Sequence, residues 1–131
     1  MGILNLTPHK LTIFVGNQTI TIEPSGYVAR VQVETVEVGV LRVGEAEVPV
    51  VRDKLGKVVV VDSLSERELT WEQFLDKVPK IVAIITSRMT AEAIKGTQEH
   101  RRVFVPDTSP GSVVRGGNGK IVGVKRLVEI V

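Results

Sequence analysis

Ala29-Arg30-Val31-Gln32-Val33-Glu34 is the stretch on which the reading of this chain turns. Apolar side chains at 29, 31 and 33 oppose polar ones at 30, 32 and 34, and Val36, Val38 and Val40 carry the period of two onward. Successive side chains of a strand point to opposite faces, so the pattern predicts a sheet that covers a core with one face and meets water with the other. Towards the N-terminus the same period recurs. Leu11, Ile13 and Val15 alternate up to Gly16-Asn17, and Ile20 and Ile22 alternate with Thr19, Thr21 and Glu23. Pro24-Ser25-Gly26 is turn chemistry, Pro presetting φ and Gly accepting φ > 0. Beyond the central stretch, Glu47–Arg52 is another short strand, with Pro49 expected at an edge because it cannot donate to a ladder. Lys57–Val61 holds four consecutive Val and is expected to be buried on both faces or to lie at a strand crossing. The first sixty residues thus predict short strands divided by turns.

A first helix follows. Ser65-Glu66-Arg67-Glu68 fits a capping box, with Leu64 and Leu69 as its staple, and Thr70-Trp71-Glu72-Gln73 fits a second box one turn later. Trp71, Phe74, Leu75 and Val78 form one apolar stripe, and Pro79 is expected to stop the helix. Ile81–Ile85 predicts a buried strand. Ser87 is the expected N-cap of a two-turn helix that Gly96 ends. Arg102–Val105, a loop over Pro106–Ser112, Val113–Arg115, a hairpin turn at Gly116-Gly117-Asn118-Gly119, and a return strand Ile121–Val131 complete the chain. The expectation is one domain, residues 1–131, of the α+β class and mostly β: a mixed or antiparallel sheet with two short helices packed on one face.

Composition supports this. Val, Ile and Thr supply 45 of the 131 residues, side chains stiff at χ1 that suit a pleated surface. Zero Cys excludes disulfides, thiolate metal sites and Cys nucleophiles. With only His9 and His100, a zinc site would need carboxylates as well, and no cofactor or metal is expected. Low Asn plus Gln content and the missing Cys fit a thermophile. No apolar run approaches the roughly 20 residues of a membrane span. The opening residues Met1–Lys10 lack a basic start and an apolar stretch, so cytoplasm is the expected compartment. Residues 1–76 carry 7 basic and 11 acidic side chains and residues 77–131 carry 10 and 4. Such polarity suits an anionic ligand on the second half, or head-to-tail pairing of copies into a homo-oligomer. Few aromatics and no basic run longer than two argue against a nucleic-acid partner.

Three polar clusters stand out. Thr7-Pro8-His9 places an imidazole after a proline, where it can act as acid or base. Thr86-Ser87, at a strand end before a helix, offers hydroxyls and amides to an anion; the simpler role for Ser87 is the cap alone. Pro106-Asp107-Thr108-Ser109-Pro110, with Arg115 after it, is a stiff polar loop in which Asp107 and Thr108 either hold ligand or close local turns. Arg30, on the polar row, reaches a ligand or solvent. Gly116-Gly117-Asn118-Gly119-Lys120 lacks the spacing and the helix of a phosphate loop. His100 is expected in solvated loop.

Leu4-Asn5-Leu6-Thr7-Pro8-His9, Pro24-Ser25-Gly26 with Ala29-Arg30, Pro49-Val50-Val51-Arg52, the strand end Ile81–Ser87, Val105-Pro106-Asp107-Thr108 with Pro110 and Arg115, and Gly119-Lys120-Ile121-Val122-Gly123-Val124 occur in that order. The ordered set resembles a group of small proteins of bacteria, phages and other prokaryotic viruses that open with Asn-Leu-Thr-Pro-His. The resemblance implies a real single domain and no particular reaction; a viral setting, in the host cytoplasm, would suit sequestration of a host nucleotide signal. From the residues, the leading expectation is a binding module for an anionic small molecule such as a nucleotide. Thr7, Arg30, Thr86, Ser87, Asp107, Thr108 and Arg115 would hold it, and His9 would orient it. One alternative is a phosphodiester or phosphate-ester hydrolase with His9 as the catalytic group. Another is a homo-oligomeric structural or interaction protein without ligand.

Overall fold

The structure is a computed structural model and describes residues 2–78, 81–96 and 101–131. In chain order its elements are β1 (Gly2–Asn5), β2 (Leu11–Val15), β3 (Gln18–Ile22), β4 (Tyr27–Val43), β5 (Ala46–Asp62), β6 (Glu68–Thr70), α1 (Trp71–Lys77), β7 (Ile81–Ile85), α2 (Arg88–Ile94), β8 (Arg102–Pro106), β9 (Val113–Arg115), β10 (Ile121–Val124) and β11 (Leu127–Ile130). The class is the expected one, α+β and mostly β, with mixed and antiparallel sheets. No helix of the described residues is long and apolar enough to cross a membrane.

The strands form three sheets, ordered β1-β7-β8-β11, β3-β2-β10-β9 and β4-β5-β6. In the first, β7 runs parallel to both β1 and β8, and β11 closes the edge antiparallel to β8. The core lies where this sheet, the root of the β4–β5 hairpin and both helices meet. It is built from Leu6, Ala29, Val60, Phe74, Ile84 and Ile94, with Val103 and Val105 from β8. Each fully buried Leu, Ile, Val or Phe among them stabilises the fold by about 1.5–3 kcal/mol. Phe74 anchors an aromatic group, edge-on to Tyr27 at 5.4 Å and stacked on Trp71 at 5.7 Å.

Helix α1 uses the later of the two boxes. Thr70 accepts from Gln73 N at 3.1 Å, and Gln73 Oε1 accepts from Thr70 N at 3.0 Å. The earlier box does not form, because Glu68–Thr70 is drawn into pairing with Val59–Val61. Its staple fails with it, and Leu64 is 95% exposed. Ser87 caps α2 as expected, and Gly96 follows the last turn at φ +87°. Pro79 and His100 lie outside the described residues.

Two expectations need correction. Ile121–Val131 is not one return strand: β10 and β11 belong to different sheets, and the chain turns a corner between them. Nor are the strands after Tyr27 short. β4 and β5 are each 17 residues long and pair from Tyr27–Asp62 out to Val43–Ala46. Between Gly26 and Gly44 no turn chemistry interrupts the row, so nothing stops it. The Lys57 to Val61 stretch is the root of this hairpin. Beyond Val31 and Val58 the two strands leave the body as a bare ribbon, every residue from 32 to 57 being exposed. β6 pairs only with Val59–Val61, so both edges of the ribbon are unpaired among the described residues. Pro49 sits on such an open edge, as expected.

Candidate functional site

The opening motif is a structural knot. Asn5 is buried, and its Nδ2 donates to His9 O at 2.9 Å and to Ile22 O at 3.2 Å. Its Oδ1 accepts from Thr7 N at 3.0 Å and lies 2.6 Å from Thr7 Oγ1, whose proton it shares with His9 O at 2.9 Å. Leu6 N donates to Ile85 O, and Ala29 N to Leu6 O, so the loop is stitched to β7 and to β4. What His9 contributes to this knot is its carbonyl; the residue itself is exposed.

The other two clusters are also engaged locally. Ser87 Oγ accepts from Thr90 N at 3.4 Å and lies 2.9 Å from Thr90 Oγ1, so the hydroxyl is engaged in capping α2. Thr86 is fully buried, and its Oγ1 has no partner among the described residues. Both Asp107 oxygens are occupied, Oδ1 by Ser109 N at 3.0 Å and Oδ2 by Arg126 Nε at 3.1 Å. Arg115 Nη1 donates to Gly119 O at 2.8 Å and ties down the hairpin turn. Buried Ser112 governs the corner between β10 and β11: its Oγ accepts from Lys125 N at 3.1 Å and from Arg126 N at 3.2 Å.

The sequence-predicted residues fall around two concavities with no lining residue in common. Thr7, Arg30 and Ser87 line a shallow one of about 220 Å³, with Leu6, Pro8 and Val28. Thr108 and Arg115 line another of about 360 Å³, with Pro110 and Val113. His9, Thr86 and Asp107 line neither. A third concavity, of about 290 Å³, was not signalled by any motif: Lys57, Val58, Thr70, Trp71 and Ile94 line it where β5 meets both helices. Trp71 Nε1 is buried there without a partner among the described residues. No group of three or more His, Asp or Glu among the described residues is arranged to hold a metal.

Three carboxylates are held below their ordinary range. The Leu64 amide does this for Asp62, the Ser109 amide for Asp107, and the Arg102 guanidinium for Glu129. Arg102 grips Glu129 with two bonds, of 2.8 and 3.1 Å, and the pair is exposed. A carboxylate depressed in the folded state stabilises the fold while ionised. Its contribution is whole above about pH 5 and is lost as pH falls through the ordinary carboxylate range and below. Thermal melts should therefore show Tm declining as pH is lowered from about 5 to about 3, and Glu129→Gln should flatten that decline. A Tm unchanged over this interval would show that the three pairings do not persist in solution.

Comparison with protein-family models, curated proteins and solved structures finds no match for the chain.

Proposed function

We propose that the protein is an interaction protein whose projecting hairpin is its organ of contact. One observation carries this reading: a two-stranded ribbon, exposed from residue 32 to residue 57, one face of whose outer part displays Leu41 and Val43 at 59% and 57% exposure beside exposed Val48 and Val50. A bare two-stranded ribbon is marginal in water, and large contiguous apolar patches on a soluble protein mark places where something binds. Val31 and Val58 pair at the root, so an Asn-Gly turn can join them and remove the arm without touching the core. The shortened chain should melt within a few degrees of the intact one and lose its association in sedimentation velocity. Association equal to that of the intact chain would refute the reading.

A second reading keeps one support. Thr7, Arg30 and Ser87 border one concavity, and Arg30 supplies it with an exposed cation. At about 220 Å³ it falls short of the roughly 300 Å³ at which drug-sized sites begin, which favours a phosphate-sized anion over a whole nucleotide. Millimolar phosphate should raise Tm, and Arg30→Ala should abolish the rise. No shift with phosphate or with any member of a nucleotide panel would remove this reading.

A further inference from the structure

We propose that a second copy of this chain covers one face of the arm, the two ribbons stacking about a two-fold axis that runs along their length. The inference rests on the arm being the contact organ and adds its occupant.

Residues opposite one another in an antiparallel pair share a face, and faces alternate along each strand. On one face the three outermost pairs are Gly39–Val50, Leu41–Val48 and Val43–Ala46, none of them charged. The next pairs inward on that face are Val36–Arg52 and then Glu34–Lys54. The opposite face of the tip carries the Arg42–Glu47 ion pair, at 3.5 Å, beside Val40–Pro49. At the root, the body packs on the side that carries Ala29 and Val60, away from the side of Glu34, Leu41 and Val48. The uncharged face is therefore open to a neighbour without collision between bodies.

A two-fold axis along the arm lays β4 of one copy over β5 of the other at equal height. Every cross-strand pair then meets itself reversed. Leu41 meets the partner's Val48, and Glu34 meets the partner's Lys54. Apolar lies on apolar at the tip and acid on base at the inner end, and between them the aliphatic stem of Arg52 lies over the partner's Val36. An axis across the arm matches apolar with apolar only at the three outermost pairs and leaves Glu34 and Lys54 unmatched. At about 3.3 Å per residue, the stretch from Glu34 to Val43 is about 30 Å long. Two such faces bury on the order of 1,000 Å² together, the lower bound for a specific contact, so a micromolar dimer is expected. A lipid surface fits less well. Glu45 occupies the apex turn, and the unpaired ribbon edges present N–H and C=O groups that hydrocarbon does not accept.

The test is sedimentation velocity on the full chain and three variants, with a melt of each to confirm folding. Wild type should form a reversible dimer at tens of micromolar. Glu34→Lys places four bases around the axis and Lys54→Glu four acids, and each should weaken the dimer at least ten-fold. Mixed in equal amounts, these two variants should recover the dimer as a heterodimer, which no effect within one hairpin can produce. Leu41→Asp should be monomeric. A wild type monomeric at 200 µM, charge reversals without effect, or a mixture that stays monomeric would each overturn the stack. Association that arm removal abolishes but the charge reversals do not alter would overturn the stack alone and leave the contact role of the arm standing.

Discussion

Gly123→Ala should cost about 3 kcal/mol or more and lower Tm by about 10 °C. Gly123 is buried on β10, which runs beside β2 through Val124 and Ile13. A Cβ built there falls 2.5 Å from the Phe14 ring and 2.7 Å from Thr12 O. The ring could turn aside, but the carbonyl belongs to the backbone of β2. The added methyl can be accommodated only by parting the two strands, and Ile13 and Val124 are buried between them. Gly117→Ala is the control: nothing lies within 4 Å of its added Cβ, so its effect should stay within about 0.5 kcal/mol. Circular dichroism melts of both variants decide the matter. A Gly123→Ala protein melting within 2 °C of wild type would mean that β2 and β10 do not lie side by side.

Asn5→Ala should be nearly as damaging, by about 2–4 kcal/mol. The substitution leaves Ile22 O and Thr7 N without the side-chain partner that satisfies them, and leaves His9 O with the Thr7 hydroxyl as its remaining side-chain donor. Unmade hydrogen bonds at a buried site are costly because water cannot replace the lost partner. His9→Ala, by contrast, should fall within about 0.5 kcal/mol, since the knot uses that residue's carbonyl and not its ring. Urea titration of the two variants separates the roles. Equal losses would mean that the imidazole supports the fold in a way its exposure does not suggest; a near-neutral Asn5→Ala would dissolve the knot altogether.

Local chemistry was legible where the deciding partners are near in sequence. The Thr70 and Ser87 caps, the Gly96 stop and the turn at residues 116–119 each depend on residues within four positions, and each forms. What the sequence did not show is pairing between distant segments. Val103 and Val105 state that β8 has two faces, but not that β7 lies between it and β1, a strand of four residues whose sequence Gly2-Ile3-Leu4-Asn5 carries no period of two. Ser65–Glu68 satisfies the chemistry of a cap, yet β5 captures Glu68–Thr70 as a third strand, and tertiary pairing overrides the local preference. The candidate ligand groups were legible as polar and constrained. Their constraint turned out to come from each other: Asp107 is held by Ser109 and Arg126, Ser87 by Thr90, and Thr7 by Asn5. A residue type cannot announce whether its hydrogen bonds are spent at home.

Val36, Val38 and Val40 looked like one continuous row, and here the period of two misleads. Pairing shifts between Glu37–Val51 and Gly39–Val50, so β4 carries one residue more than β5 at that place. Gly39 absorbs it at φ +141°, backbone that side-chain-bearing residues rarely adopt. Val36 and Val40 consequently look in opposite directions. The clean, uncharged half of the tip owes its composition to this slip of phase: in a ladder that kept the register of Glu37–Val51, Arg42 would stand in line with Val36, Leu41 would pair with Glu47, and the two charges would lie on opposite faces. One glycine thus works as a frame-setter for the whole outer arm, deciding which set of side chains a neighbour would meet.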